Sequence, residues 1–252
     1  MKRIVYYIAI CLAGLSASSC SKFDNYKAPD QTLQGTVTDV VTGKPLQTEV
    51  TGDNTAGTRI KLIETSWSAT ATPQFLGSKM DGTWINTKIF EGTYKISVEG
   101  AFVPLVQTTP VAIDNSKTVN VSGGTTTVDF AVEPFLRVEW VGEPVLNPNG
   151  TITASYKITR GTGNALFQQN ITDAMLFVNG TQYVGNWNYD TRWSAKTTYT
   201  GNGANALLGT TQTITTPATL PTKRELYVRI GARIAYGANI YNYNEVKIVN
   251  VP

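Results

Sequence analysis

From Leu33 onward the chain alternates apolar and polar residues with period two, and it nowhere sustains a 3.6-residue apolar period over three turns. The cleanest run places Ile152, Ala154, Tyr156 and Ile158 against Thr151, Thr153, Ser155, Lys157 and Thr159. Arg59-Ile60-Lys61-Leu62, then Tyr94, Ile96 and Val98, and then Val128, Phe130 and Val132 repeat the pattern, as do Leu226, Val228 and Ile230. Val246 and Ile248 supply the core face of a last strand. Successive strand side chains point to opposite faces, so each run predicts a strand with one buried side. The chain reads as all-β.

Turn residues punctuate these runs. Gly43 ahead of Pro45, Asp81-Gly82, Gly92 and Asn147-Pro148-Asn149-Gly150 each supply a positive φ or a fixed one where a turn needs it. Asn179-Gly180 predicts a two-residue hairpin that pairs Val178 with Thr181 and Leu176 with Tyr183, and Asp81-Gly82 predicts another.

The first residues follow a different pattern. Lys2 and Arg3 precede an apolar run from Ile4 to Leu15, after which Ala17-Ser18-Ser19 leads directly into Cys20. A short positive segment, an apolar core and small residues before a cysteine predict a bacterial lipoprotein signal peptide over residues 1–19, with Cys20 lipidated on diacylglycerol and acylated, for example with palmitate. The run falls short of the roughly 20 residues a membrane-spanning helix needs. Residues 20–32 are polar, contain Pro29 and read as anchor and tether. Asp24 resembles, in one position, the acidic surface-export signal of Bacteroidota lipoproteins. The expected location is the outer membrane, lipid-anchored and exposed at the cell surface.

The spacing Gly35-x-Val37-x-Asp39-x-x-Thr42-Gly43-x-Pro45-Leu46, followed by Asp81-Gly82-x-Trp84 and Gly92-x-Tyr94-x-Ile96, resembles the carboxypeptidase regulatory-like fold over residues 33–133. That resemblance implies a seven-stranded transthyretin-type sandwich serving as a stability or spacer module. Glu133-Pro134 closes it, and residues 134–252 hold enough short strands for an immunoglobulin-like or fibronectin-like sandwich. The expected fold is therefore two tandem β-sandwiches. With Tyr241-Asn242-Tyr243-Asn244 near its end, the whole chain resembles a two-domain family of Bacteroidota outer-membrane lipoproteins found beside SusC/SusD-type glycan uptake pairs. The resemblance implies a setting of nutrient capture, with an oligosaccharide or polysaccharide and a SusC/SusD-type transporter complex as partners. The chain then reads as an accessory glycan-binding protein, or as a structural or assembly subunit with no sugar site of its own.

Composition narrows the chemistry. The net charge of +3 includes Lys2 and Arg3, and no remaining basic cluster could neutralise a row of phosphates, so nucleic acid is not an expected partner. The 2 cysteines, Cys11 and Cys20, sit at the start, which leaves the domains without a thiol or a disulfide. The histidine count of 0 removes Ser-His and Cys-His nucleophile activation and His-ligated zinc. Carboxylate-only glycoside hydrolysis survives that filter. However, Asp39, Asp53, Asp81 and Asp114 fall in turns, while Glu99, Asp129 and Glu139 alternate along strands, which are positions of solvated faces. No enzyme activity, cofactor or metal is expected.

Saccharide surfaces present aromatic rings flanked by amides and carboxylates. Two stretches fit, Tyr183 to Trp193 and Tyr236 to Asn244, and they give Trp187, Tyr189, Trp193, Tyr236, Tyr241 and Tyr243 as ligand-binding candidates. The hairpin register places Trp187 and Tyr189 with Leu176 and Val178, while Met175, Phe177 and Val184 make the other face apolar too. That strand pair is either buried on both sides or offers one side as a binding surface; Trp193 lies beyond the register. If Val246 and Ile248 face the core, Tyr241 and Tyr243 share the solvent face with Glu245 and Lys247. A bulge, or a packing role of the tyrosine-corner kind, would turn them inward instead.

Overall fold

The computed structural model describes residues 27–50, 55–68 and 70–252. Cys20, Asp24 and the signal segment lie outside the described residues. Among the described residues no helix is long and apolar enough to cross a membrane.

The first domain comprises β1 (Gln31–Asp39), β2 (Arg59–Glu64), β3 (Gln74–Gly77), β4 (Thr83–Ile89), β5 (Gly92–Glu99), β6 (Val106–Gln107), β7 (Ile113–Asp114), β8 (Lys117–Val121), β9 (Thr125–Thr127) and β10 (Phe130–Val132). In one sheet β1 is central, antiparallel to β4 and parallel to β9 and β10. Thr32 faces Thr125 and Val37 faces Phe130 with an unchanged offset, so β9 and β10 are two parts of one strand. The other sheet runs β3-β2-β5-β8, and β6 and β7 form a small separate ribbon. The alternating residues fill the space between the sheets, with Leu33, Val37, Trp84, Ile60, Leu62, Tyr94, Ile96, Val98, Phe130 and Val132 in one core. Asp81-Gly82 makes a turn but not the expected hairpin, because β3 pairs with β2 and β4 pairs with β1. The turn carries the chain from one sheet to the other. Gly82 has φ +75°, and a Cβ there would lie 2.7 Å from the Leu46 carbonyl and 2.8 Å from that of Val37.

The second domain comprises β11 (Leu136–Trp140), β12 (Val145–Leu146), β13 (Ile152–Arg160), β14 (Ile171–Asn179), β15 (Ala195–Thr198), β16 (Thr211–Thr215), β17 (Arg224–Ile234), β18 (Asn242–Tyr243) and β19 (Lys247–Val251). One sheet has β13 between β11 and β12 on one side and β16 on the other. The second runs β15-β14-β17, with β18 and β19 along the far side of β17. Ile152, Ala154, Tyr156 and Ile158 meet Ala174, Leu176, Val178, Leu226, Val228 and Ile230 in the space between. The architecture is thus all-β, as the alternation predicts, with the two domains that the motif resemblance implies.

Two register expectations fail here. Asn179-Gly180 does not close a tight hairpin; β14 instead pairs with β15, Leu176 facing Ala195, and residues 180–194 form a long loop. The outer face of β14 carries Met175 and Phe177, and the loop lays Val184 and Tyr189 onto them. Nor do Val246 and Ile248 face the core. Val249 lies opposite Leu226 and Val251 opposite Arg224, so Val249 and Val251 are buried while Ile248 is exposed. Directly opposed residues share a face, and Leu226 already faces inward, so pairing with β17 sets the choice.

Candidate functional site

The two domains meet through buried polar contacts. Asn242 of β18 donates to the Ala101 carbonyl of the first domain at 2.8 Å and accepts from the Leu136 N–H at 3.0 Å. Arg137 of β11 reaches back to Asp39 at the end of β1, a residue expected in a solvated turn but buried by this contact. Glu49 of the first domain projects onto the outer face of the second sheet, where its Oε2 accepts the Trp187 N–H at 3.0 Å. Arg229, wholly buried on β17, donates to the Thr48 carbonyl at 2.7 Å and lies 3.7 Å from the centre of the Tyr243 ring. Its Nε and Nη2 have no hydrogen-bond partner. Burial drives the Glu49 carboxyl upward, partly opposed by the Trp187 N–H, Tyr243 and Arg229, and burial lowers Arg229. Gly185 is needed there because a Cβ would sit 2.4 Å from Arg229 Nη2 and 3.0 Å from Glu49 Oε2.

This junction accounts for most of the aromatic candidates. Tyr241 and Tyr243, at 2% and 6% exposure, are buried rather than solvent-facing. Phe177 centres a cluster, with the rings of Tyr189, Tyr241 and Tyr243 at 5.6, 5.3 and 5.6 Å. The Tyr241 hydroxyl donates to Asp173, which also holds Arg233 at 2.8 Å. Burial raises both tyrosine hydroxyls above their ordinary values. Their side chains are inward because the outer face of the second sheet is itself apolar and is roofed by the 180–194 loop and the first domain. Tyr189 is half-buried on Phe177. Trp193 is 9% exposed and belongs to the second domain's core, with the Arg192 guanidinium 4.4 Å above it. Tyr236 packs edge-on against Phe135 at 5.1 Å and Phe167 at 5.2 Å. Trp187 alone of the six stands in solvent, at 59% exposure. The candidates therefore do not converge on one exposed patch.

Where the roof ends, the outer face of the second sheet opens into a groove of about 410 Å³. Tyr227 and Ile248, opposite one another on β17 and β19, line it together with Tyr183 of the loop, which is 55% exposed. Gln47, Lys79, Met80 and Asp81 of the first domain and Gln182 and Val246 of the second complete the lining. Asp81 is held below its ordinary pKa by the Thr83 hydroxyl, at 2.6 Å, and by the Thr83 N–H. Sequence reasoning placed Tyr183 in the right stretch but assigned it to a hairpin face, and it missed Tyr227. No local signal marks Tyr227, whose exposure depends on where the first domain stops covering the sheet. Among the described residues no group of three or more His, Cys, Asp or Glu is placed to hold a metal ion.

Fold and site together define a tandem β-sandwich protein whose two domains are locked through a buried polar junction bordered by an open groove of tyrosines, amides and charges. The chain belongs to the DUF3823 family. Residues 31–133 match the protein of unknown function (DUF3823) N-terminal domain, and residues 141–247 match the domain of unknown function (DUF3823_C). It is similar to a DUF3823 family protein from Bacteroides uniformis, with 35% identity, 89% of this chain and 100% of that chain covered, and a TM-score of 0.81. A candidate carbohydrate binding protein from Bacteroides uniformis has the same fold at 22% identity, covering 88% of this chain and 100% of that one, with a TM-score of 0.66. So does a DUF3823 family protein from Parabacteroides merdae, at 22% identity, coverage of 89% and 100%, and a TM-score of 0.66. Among curated proteins nothing matches the chain.

Proposed function

We propose that this protein is a non-catalytic outer-membrane lipoprotein, anchored through Cys20, that binds oligosaccharide beside a SusC/SusD-type uptake complex. The observation that carries the binding reading is the groove at the domain junction. There the Tyr183 and Tyr227 rings sit within reach of the same ligand as the Gln47 and Gln182 amides and the Asp81 and Lys79 side chains. A pyranose has apolar C–H faces that pack on aromatic rings and hydroxyls that both donate and accept, so this pairing of groups suits it. The scaffold shared with the candidate carbohydrate binding protein from Bacteroides uniformis is a likeness of fold. The anchor reading rests on the Lys2-Arg3, Ile4 to Leu15 and Ala17 to Cys20 pattern.

Isothermal titration of the purified protein against a broad oligosaccharide panel tests the binding reading. Heat that Tyr183→Ala abolishes supports it, since the exposed Tyr183 side chain can be removed without opening the core. Silence towards every sugar overturns it and leaves a structural or assembly role in the transporter complex. Cys20→Ala should move the protein from the membrane to the soluble fraction, and retention in the membrane would refute the anchor.

A further inference from the structure

On the other side of the segment from Asn244 to Ile248 lies a second, larger cleft of about 520 Å³. Alternation divides this segment, so that Val246 and Ile248 border the groove described above while Glu245 and Lys247 border the cleft. Gln47 of the first domain borders both. The cleft runs along the edge of β11, where Trp140 is half-buried, and is closed on the far side by Lys44 and Pro45 of the first domain.

Trp140 is held in place as a wall. Its indole N–H donates to the Glu245 carbonyl at 2.8 Å, and the Lys247 ammonium stands 5.3 Å from the centre of its ring. Lys247 is fixed in turn, donating to Glu143 at 2.6 Å and to the Gly142 carbonyl at 2.9 Å. An aromatic surface fixed before a ligand arrives loses little freedom on binding.

The charges lining the cleft are mostly consumed internally. Arg137 is paired with Asp39, Lys157 lies 3.5 Å from Glu139, and Lys247 is tied to Glu143. Among the described residues Lys44 and Glu245 make no ion pair, which leaves one cationic donor and one anionic acceptor on the same cleft. An anionic ligand would be repelled by Glu245 and a cationic one by Lys44, whereas a neutral hydroxyl can accept from Lys44 and donate to Glu245. Asn244 also borders the cleft, and its Oδ1 takes the Ile230 N–H at 2.7 Å, which fixes the segment that carries Glu245.

We infer that the cleft between Trp140, Lys44 and Glu245 is a second saccharide site, selective for a neutral, hydroxyl-rich sugar unit. The inference rests on the glycan-binding reading for its ligand class, but it concerns a different site and different residues.

The test titrates the purified full-length protein with neutral hexasaccharides of glucose, xylose and mannose and with an oligogalacturonate as the acidic probe. Binding stoichiometry and tryptophan fluorescence are followed in the wild type, in Tyr183→Ala, in Lys44→Ala and in Glu245→Ala. Lys44 and Glu245 are surface groups, so their loss leaves folding intact. The expected result is residual neutral-sugar binding in Tyr183→Ala that perturbs tryptophan fluorescence and weakens about tenfold or more when Lys44→Ala or Glu245→Ala is added. Neutral-sugar binding eliminated by Tyr183→Ala alone, with Lys44→Ala and Glu245→Ala silent, overturns the second site while the glycan reading stands. Oligogalacturonate binding that depends on Lys44, without neutral-sugar binding there, overturns the assigned ligand class. No binding of any probe by the wild type overturns both the cleft and the glycan reading.

Discussion

Arg137 grips Asp39 across the domain junction with two nitrogens, Nε at 2.5 Å from Oδ2 and Nη2 at 2.9 Å from Oδ1. The pair joins the end of the first strand of one sandwich to the first strand of the next. Burial is the largest single influence on Asp39 and opposes its ionisation, but the hydrogen bonds from Arg137 and from the Val41 and Thr42 N–H groups, with the Arg137 charge, together hold the carboxyl below its ordinary value.

Arg137→Ala should therefore cost about 2 kcal/mol, because it strands a buried carboxylate. A carboxyl whose folded pKa is depressed stabilises the protein above its unfolded value of about 4, and that stabilisation disappears as pH falls through the folded value. Urea unfolding at about pH 6 and about pH 3 should show the wild type losing this contribution on acidification, a loss that Arg137→Ala lacks.

The buried group around Arg229 predicts strong coupling. Arg229→Met removes the cation near the buried Glu49 carboxyl and the hydrogen bond to the Thr48 carbonyl, and should destabilise by about 2 kcal/mol at neutral pH. Glu49 already has a raised pKa, so the native state favours its protonated form. The part of the penalty that depends on the Glu49 charge should be absent while the carboxyl is protonated in both native proteins and should grow as pH rises through its wild-type folded value, which lies above the unfolded value of about 4.3. Adding Glu49→Gln, which keeps an acceptor for the Trp187 N–H, should restore much of the loss, and a double-mutant cycle read by chemical denaturation measures that recovery.

Asn242 is the hydrogen-bonding bridge between the domains. Asn242→Ala orphans the Leu136 N–H and the Ala101 carbonyl together, at a cost of about 3 kcal/mol. Because one lost partner lies in each domain, calorimetry should show the variant's unfolding broadening or splitting where the wild type melts as one unit.

Two tryptophans of the same loop should behave oppositely. Trp193→Ala empties part of the second core and should cost about 3 to 5 kcal/mol. Trp187→Ala removes a side chain that stands in solvent and should change stability by no more than about 0.5 kcal/mol. Thermal melts of the two variants distinguish the readings directly.

The strands of both sandwiches were legible because alternation is a local property, and runs such as Ile152 to Ile158 and Tyr94 to Val98 bury the residues their pattern marks. The aromatic site was much less legible. Tyr241 and Tyr243 share a sheet face with Phe177 and Arg229, and no local pattern announces that a loop and a glutamate from another domain cover that face. Tyr183 and Tyr227, which line the open groove, carry the same chemistry as those buried rings.

The sequence by itself determined that this chain is all-β, that it folds as two sandwiches, and that histidine-based and thiol-based chemistry is absent from its domains. The all-β class and the missing chemistry follow from a two-residue period and from residue identity, and the two sandwiches from motif and turn spacings that resemble known modules. Only the tertiary structure decided which face of the second sheet meets water. When Phe177 and Leu176 give a strand two apolar faces, period two distinguishes the faces without ranking them, and the ranking comes from whatever packs on top. Here that is the 180–194 loop, together with Glu49 and Thr48 of the first domain, more than a hundred residues from the strand they cover. The same docking leaves Tyr183 and Tyr227 open on one side of the final strand and Trp140 on the other.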